Sequence, residues 1–294
     1  MKKSIYPTLE KLGLTSKESR VLYNDKTRDV DQLKVWKDNI SGIIYIEDFY
    51  TGDETYVDGS YLDDSYVKLT GGPTELEFAN DAKRRLKSNL KFVAGKNIAD
   101  FGCGNGDFLK LVKQYCKSVS GIELQQNYVD ALNKEGIFCV NSLDAIKNDT
   151  LDVILSFHVI EHLHNPLEIL SKFMDKIVSG GHIIIEVPHA NDFLSSILEC
   201  EEYKQYKLWS QHLILHTRDS LKKTLEFVGF KDIQIEGVQR YPLSNHLNWL
   251  ANGKGGGHKT PLSMLDSKML IDAYHNSLAR INATDTLVAI AKKS

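Results

Sequence analysis

The sequence is short of cysteine, and the little it has is scattered. Cys103, Cys116, Cys139 and Cys200 show no CxxC spacing. Neither a zinc knuckle nor a disulfide framework is indicated, and free thiols in a reducing compartment are expected. No stretch is apolar over the length that a membrane-spanning helix needs. The opening MKKSIYPTLEKLG starts basic without becoming the apolar run of a signal peptide. A cytoplasmic protein with no membrane partner is expected. Positive charge is not in excess either, since 36 Lys and Arg against 39 Asp and Glu leave a net charge of −3. No basic run interleaves with aromatics along an expected face, so no nucleic-acid partner is expected. Repeats and low-complexity tracts are missing. What remains is an ordinary globular composition, 42% hydrophobic and 26% charged over 294 residues, enough for one large α/β domain with an appendage.

The expected division places a Tyr-rich β appendage at residues 1–73 and the main domain at residues 74–294. QLKVWKDNISGIIYIEDFY reads as two strands around Asp38-Asn39-Ile40-Ser41-Gly42, a loop with the backbone freedom of a hairpin turn. Tyr45, Tyr50, Tyr56, Tyr61 and Tyr66 follow, ahead of Gly71-Gly72-Pro73. Their rings are expected to cover a small accessory sheet, the alternative being that they stack on a ligand. Thr74 and Glu77 make a capping box, and Leu76, Ala79, Ala82, Leu86 and Leu90 recur at helical spacing. From Ala94 the pattern alternates. Strands are expected at 97–101, 118–123, 151–156 and 181–187, with helices at 107–115, 126–135 and 166–177. A helix at 217–228 stops at Gly229, and strands at 233–236 and 286–291 close the chain. Such alternation argues for a parallel sheet with helices on both faces.

In NIADFGCGNGDFL, Gly102, Gly104 and Gly106 stand directly after a strand and directly before a helix. The backbone there can approach a ligand, and helix N-terminal N–H groups face it. The next strand ends in Glu123, placed to accept hydrogen bonds from both hydroxyls of a ribose. Asp107 falls where a dinucleotide fold wants its third glycine, which weighs against an NAD-dependent oxidoreductase. Asp107-Phe108 also lack the Lys and Ser/Thr of a triphosphate site. Asp100, on the strand before the turn, would repel a pyrophosphate and welcome a cationic amino-acid moiety. A positively charged adenosyl ligand fits best.

Together IADFGCGNGDFL, VSGIELQQNYVDAL, CVNSLDAI, LDVILSFHVIEHLHNP and GGHIIIEVP resemble the class I S-adenosylmethionine-dependent methyltransferases. The resemblance implies a Rossmann-like α/β fold with a seven-stranded sheet and S-adenosyl-L-methionine as cofactor. It further implies that Asp100, Gly102, Gly104 and Gly106 hold the methionyl part, Glu123 the ribose, and Asn141 and Ser142 the adenine side; Phe157 joins this set. A catalytically silent S-adenosylmethionine-binding protein remains the alternative within that reading.

SFHVIEHLHNP contains H-x-x-E-H at His158, Glu161 and His162. A zinc peptidase needs that pattern on one continuous helix, whereas here a strand ends two residues earlier and Pro166 starts a new helix. The loop also resembles that of methyltransferases acting on quinone precursors, some of which bind a divalent ion there. Glu161 and His162 match, but His158 stands where an acid is expected. The expectation is therefore no metal, with Glu161 and His162 as its ligands if there is one.

Methyl transfer is an in-line displacement that requires alignment and, for a hydroxyl or carbon acid, removal of a proton. His212 is the first candidate base, followed by His189, His158 and His246. Two insert segments, about 189–217 and 239–282, carry polar and aromatic groups suited to an acceptor lid: Trp209, Gln211, Arg240, Tyr241, Asn245 and Trp249. The alternative is a surface flap or a homodimer contact. FHVIEHLHNP, EVPHANDF, WSQHLILHT and QRYPLSNHLNWL are similar to methyltransferases of bacterial surface-polysaccharide and nucleotide-sugar pathways. That resemblance implies O-methylation of a sugar-like small molecule in polysaccharide biosynthesis. C- or N-methylation of a phosphorylated or quinone-like molecule is the alternative.

Overall fold

The computed structural model describes residues 3–50, 52, 57 and 75–294. Tyr56, Tyr61, Tyr66, Gly71 to Pro73 and the Thr74 cap lie outside them. The chain opens with helix α1 (Tyr6–Lys11), then strands β1 (Arg20–Asn24), β2 (Val35–Asp38) and β3 (Ile44–Ile46). The expected hairpin joins β2 and β3 in antiparallel register, Val35 opposite Ile46. Its turn is held by Asp38, whose Oδ1 accepts the N–H groups of Ile40 at 2.9 Å and Ser41 at 2.8 Å, and Gly42 closes it at φ +72°. Strand β1 was not foreseen; it pairs antiparallel with β2. Nor was the fourth strand, β9 (Ile214–Leu215), which comes from far down the chain to pair with β3.

Helix α2 (Glu75–Val93) leads into the main sheet. The chain continues as β4 (Asn97–Phe101), α3 (Asp107–Val112), β5 (Ser118–Ile122), α4 (Gln126–Lys134), β6 (Phe138–Val140), β7 (Leu151–Phe157), α5 (Pro166–Lys176) and β8 (Ile177–Pro188). Short helices α6 (Phe193–Ser196) and α7 (Glu201–Lys207) precede β9. Then come α8 (Arg218–Val228), β10 (Lys231–Val238), α9 (Leu243–Asn252), α10 (Lys268–Arg280) and β11 (Thr286–Lys292). The sheet order is β10-β11-β8-β7-β4-β5-β6, seven strands with β11 alone running against its neighbours. This is the expected α/β architecture with helices on both faces.

The run HIIIEV explains why the middle of the sheet is buried from both sides. Ile183 and Ile185 join a core with Phe173, Leu170, Leu221 and Leu225, whereas Ile184 faces the opposite core of Phe108, Leu109, Val129 and Leu132. Successive strand residues alternate faces, so a strand covered on both sides reads as an unbroken apolar run. Helix α8 is fixed at both ends: Thr217 and Ser220 form a reciprocal capping box, and Gly229 terminates it at φ +110°. Among the described residues no helix is long and apolar enough to cross a membrane.

The second insert, expected as a lid, is built from α9, α10 and two short 3-10 segments. Trp249 does not line a cleft. It is 2% exposed, packed with Leu194, Cys200 and Tyr203, and meets the Tyr203 ring edge-on at 5.3 Å. Trp249→Ala should therefore destabilise the protein by about 3–5 kcal/mol, read as a lower urea midpoint at unchanged slope.

Candidate active site

The glycine turn sits at the carboxyl end of β4, where open α/β sheets bind ligands. Its three glycines serve different ends. A Cβ on Gly102 would come within 2.4 Å of Val159, and one on Gly106 within 2.4 Å of Leu132, so packing excludes side chains there. A Cβ on Gly104 would meet nothing within 4 Å. The middle of the turn is open, as a cradle for a ligand must be. Glu123 braces it: Oε2 accepts the Gly104 N–H at 2.8 Å and Oε1 the Gln125 N–H at 3.0 Å. Each oxygen keeps a lone pair for a further donor such as a ribose hydroxyl.

Asp100 is 3% exposed and its Oδ1 has no hydrogen-bond partner. Burial, reinforced by Glu123 and Glu186 and opposed by Arg85, pushes its carboxyl up to about 7. A buried acid held at that poise is matched to a cation arriving with the ligand. Asn141 is exposed and donates to the carbonyls of Glu123 and Leu124, while Ser142 caps the following turn by accepting the Asp144 N–H. Phe157 ends β7, edge-on to Phe108 at 5.2 Å and under the Arg85 guanidinium at 4.4 Å.

Beside this cradle lies a charge cluster that sequence reading missed. Glu186, 1% exposed near the end of β8, accepts from Arg84 at 2.9 and 3.0 Å and from Arg85 at 2.7 and 3.2 Å, and His158 Nε2 lies 3.2 Å away. Burial alone would raise the Glu186 carboxyl, but Arg85, His158 and Arg84 hold it well below the ordinary range. Arg240 pairs with Asp81 one turn earlier on α2. The signal was present in the adjacent arginines of KRRLK and the acid interrupting HIIIEV, but the first was read only for its apolar stripe and the second as part of a strand.

The H-x-x-E-H motif does not lie on a continuous helix. β7 ends at Phe157, His158 adopts φ +57°, and Ile160–His162 is one 3-10 turn. H-x-x-E-H therefore does not present its histidines as a zinc peptidase would. Both ring nitrogens of His158 face carboxylates, Nδ1 to Glu161 and Nε2 to Glu186, each at 3.2 Å. Burial would lower this imidazole, yet those two bonds raise it above the ordinary histidine value. With a carboxylate at each ring nitrogen, His158 is engaged on both sides.

The other three histidines are separated. His189 is enclosed, with Nδ1 2.9 Å from the Thr284 carbonyl, and burial and Lys207 lower it to about 4. His246 is buried between Gln239 and the Tyr274 hydroxyl, stacked on Phe193 at 6.2 Å. His212 is partly exposed, and burial, His162 and Arg28 keep it well below its ordinary value, hence neutral. Of the four, His212 alone combines a neutral ring with partial exposure. The proposed acceptor contacts also divide. Asn245 holds the Gly256 N–H at 2.7 Å, Gln211 is buried with its carbonyl facing His162 Nδ1 at 2.8 Å, and Tyr241 lies beside Arg240 and His258. Trp209 stands edge-on to His162 and His212.

The seven-stranded order with its reversed β11, a glycine cradle after β4 and an acid after β5 define an S-adenosylmethionine-dependent methyltransferase. Residues 78–235 match the family described as Methyltransferase domain, and the chain belongs to that family. A methyltransferase structure from Archaeoglobus fulgidus shares the fold, with a TM-score of 0.53 over 73% of this chain and 94% of that one, at 22% identity. Among curated proteins, the tRNA U34 carboxymethyltransferase of Vibrio vulnificus is 24% identical over 193 residues, covering 60% of this chain and 59% of the relative. The enzyme of the same name from Haemophilus influenzae is 25% identical over 203 residues, 63% of this chain and 61% of the relative. The chain thus spans about three fifths of the length of these relatives. They correct two expectations: the sugar-like acceptor of polysaccharide pathways and the exclusion of a nucleic-acid partner are overturned by relatives named for tRNA.

Two outcomes test the cradle. Only ionised Asp100 pairs with the ligand's ammonium group, so affinity for S-adenosylhomocysteine should rise with pH up to about 7 and then level off. The gain is roughly ten-fold per pH unit below 7, and calorimetry on Asp100→Asn should show weaker, pH-flat binding. Glu123→Ala should weaken the same binding about ten- to hundred-fold, and retained affinity removes the ribose contact.

Proposed function

We propose that this chain transfers a one-carbon or carboxymethyl group from a sulfonium donor to a base of tRNA. The observation that carries the reading is the likeness to proteins named tRNA U34 carboxymethyltransferase over some three fifths of the chain. A surface feature supports it. Lys83, Lys87 and Lys91 are exposed at four-residue spacing along α2, so one side of the helix is a basic ridge. Arg84 and Arg85, on the same helix, reach Glu186 beside the cradle. RNA lying on the ridge would have its phosphates met by lysines and a base near the donor. The net charge of −3 is a total over the whole chain and says nothing of one face.

The donor supplies an activated carbon on sulfur. In this reading Asp100 pairs with its ammonium group, Glu123 holds its ribose, and Asn141 and Ser142 border the adenine side. His158, held by Glu161 and Glu186 at its two ring nitrogens, fixes the loop beside the donor rather than taking an acceptor proton. A cytoplasmic location belongs to the same proposal.

The experiment incubates the purified protein with bulk tRNA and donor, then digests the RNA and weighs the modified nucleoside. The mass tells a methyl from a carboxymethyl group. Replacing Lys83, Lys87 and Lys91 with alanine should make the dependence of log affinity on log salt shallower by about 2 to 3, with S-adenosylhomocysteine binding unchanged. Protein that binds S-adenosylhomocysteine yet neither binds nor modifies tRNA at low salt overturns the proposal.

A further inference from the structure

Next to the charge cluster lies a second constellation that donor binding does not use. Glu161, His162 and His212 bring one carboxylate oxygen and two ring nitrogens within 4.8 Å of one another. Glu161 is fully buried; its Oε1 meets His158, while its Oε2 has no hydrogen-bond partner. Nδ1 of His212 is buried without one as well. Leaving an ionised oxygen and a ring nitrogen dry and unpaired is costly, and folded proteins rarely do so without something to fill the gap.

One hydrogen bond already orients a ligand: His162 Nδ1 donates to the Gln211 carbonyl at 2.8 Å. This backbone carbonyl is the kind of partner that fixes a ligating histidine. The frame is also preformed. The Leu213 N–H bonds to the Glu161 carbonyl at 2.9 Å and ties the two segments together, and the His212 N–H closes its own turn on the Trp209 carbonyl at 2.9 Å. Arg28, on the Trp209 ring at 4.6 Å, is the opposing charge that a bound cation must outweigh.

We infer that Glu161, His162 and His212 form a divalent-metal site, taking zinc or a similar transition ion through one oxygen and two nitrogens. Two imidazoles and one carboxylate are a donor set for Zn²⁺, not for Mg²⁺ or Ca²⁺, which prefer oxygen throughout. The ligands come from the turn after β7 and from the segment that becomes β9, so the ion would pin the N-terminal sheet to the donor-binding sheet. This inference does not depend on the acceptor being tRNA.

The test uses untagged, chelator-stripped full-length protein titrated with Zn²⁺ by calorimetry and with Co²⁺ by visible absorption. One ion per chain is expected, with the intense d–d bands of four-coordinate Co²⁺. His212→Ala, His162→Ala and Glu161→Gln should each weaken binding at least about ten-fold and change the Co²⁺ spectrum, while His275→Ala changes neither. Retained S-adenosylhomocysteine binding in His212→Ala shows that the variant is folded. Absence of binding by the wild-type protein at micromolar Zn²⁺, or binding and spectrum unchanged in all three variants, overturns the site.

Discussion

The carboxylate of Glu186 is the point on which the donor-binding end of the molecule turns. It is buried near the end of a central strand, where an unpaired charge would be intolerable, and Arg84, Arg85 and His158 converge on it. Each partner belongs to a different obligation. The arginines bring α2 across the edge of the sheet, His158 fixes the loop after β7, and Asp81 on the same helix captures Arg240 from the end of β10. His158 holds a left-handed backbone conformation that costs a non-glycine residue of order 1 kcal/mol or more. Two carboxylates and an N–H bond to the Glu186 carbonyl at 2.8 Å hold it there. Strain at this position is sustained by charge, not by packing.

Much of the main sheet was legible because its signals are local. An apolar run such as HIIIEV, a glycine turn, and Thr217 with Gly229 at the two ends of a helix each depend on neighbours within a few residues. The β2–β3 hairpin was legible for the same reason, through Asp38 and Gly42. What escaped was whatever is made by distance. Strand β1 carries a mixed pattern with exposed Val21 and Leu22, and β9 is two residues long, so neither has a readable period. The histidines illustrate the same limit. Sequence could collect His158, His189, His212 and His246 as chemistry-bearing residues, but only the fold decides that one is salt-linked, two are enclosed and one is neutral and partly open.

The exclusion of a nucleic-acid partner rested on an electrostatic average. A net charge close to zero describes the whole chain, whereas a polyanion responds to the charge within roughly a Debye length of where it lies. Lys83, Lys87 and Lys91 share one side of α2 only when wound at the helical period, while Arg84 and Arg85 between the first two turn to Glu186. Aromatic content alone does not mark a ligand site, since Trp249 and Tyr203 are buried in packing contacts.

The pairing of β3 with β9 has a consequence for how the chain is made. Ile44 meets Leu215, roughly 170 residues further on, so the N-terminal sheet lacks an edge strand until most of the protein has left the ribosome. Over that interval the early hairpin exposes the apolar face that Leu213 and Ile214 will later cover. Nascent chains stalled before residue 215 should therefore be clients of chaperones, and the first strands to be synthesised are among the last to be completed.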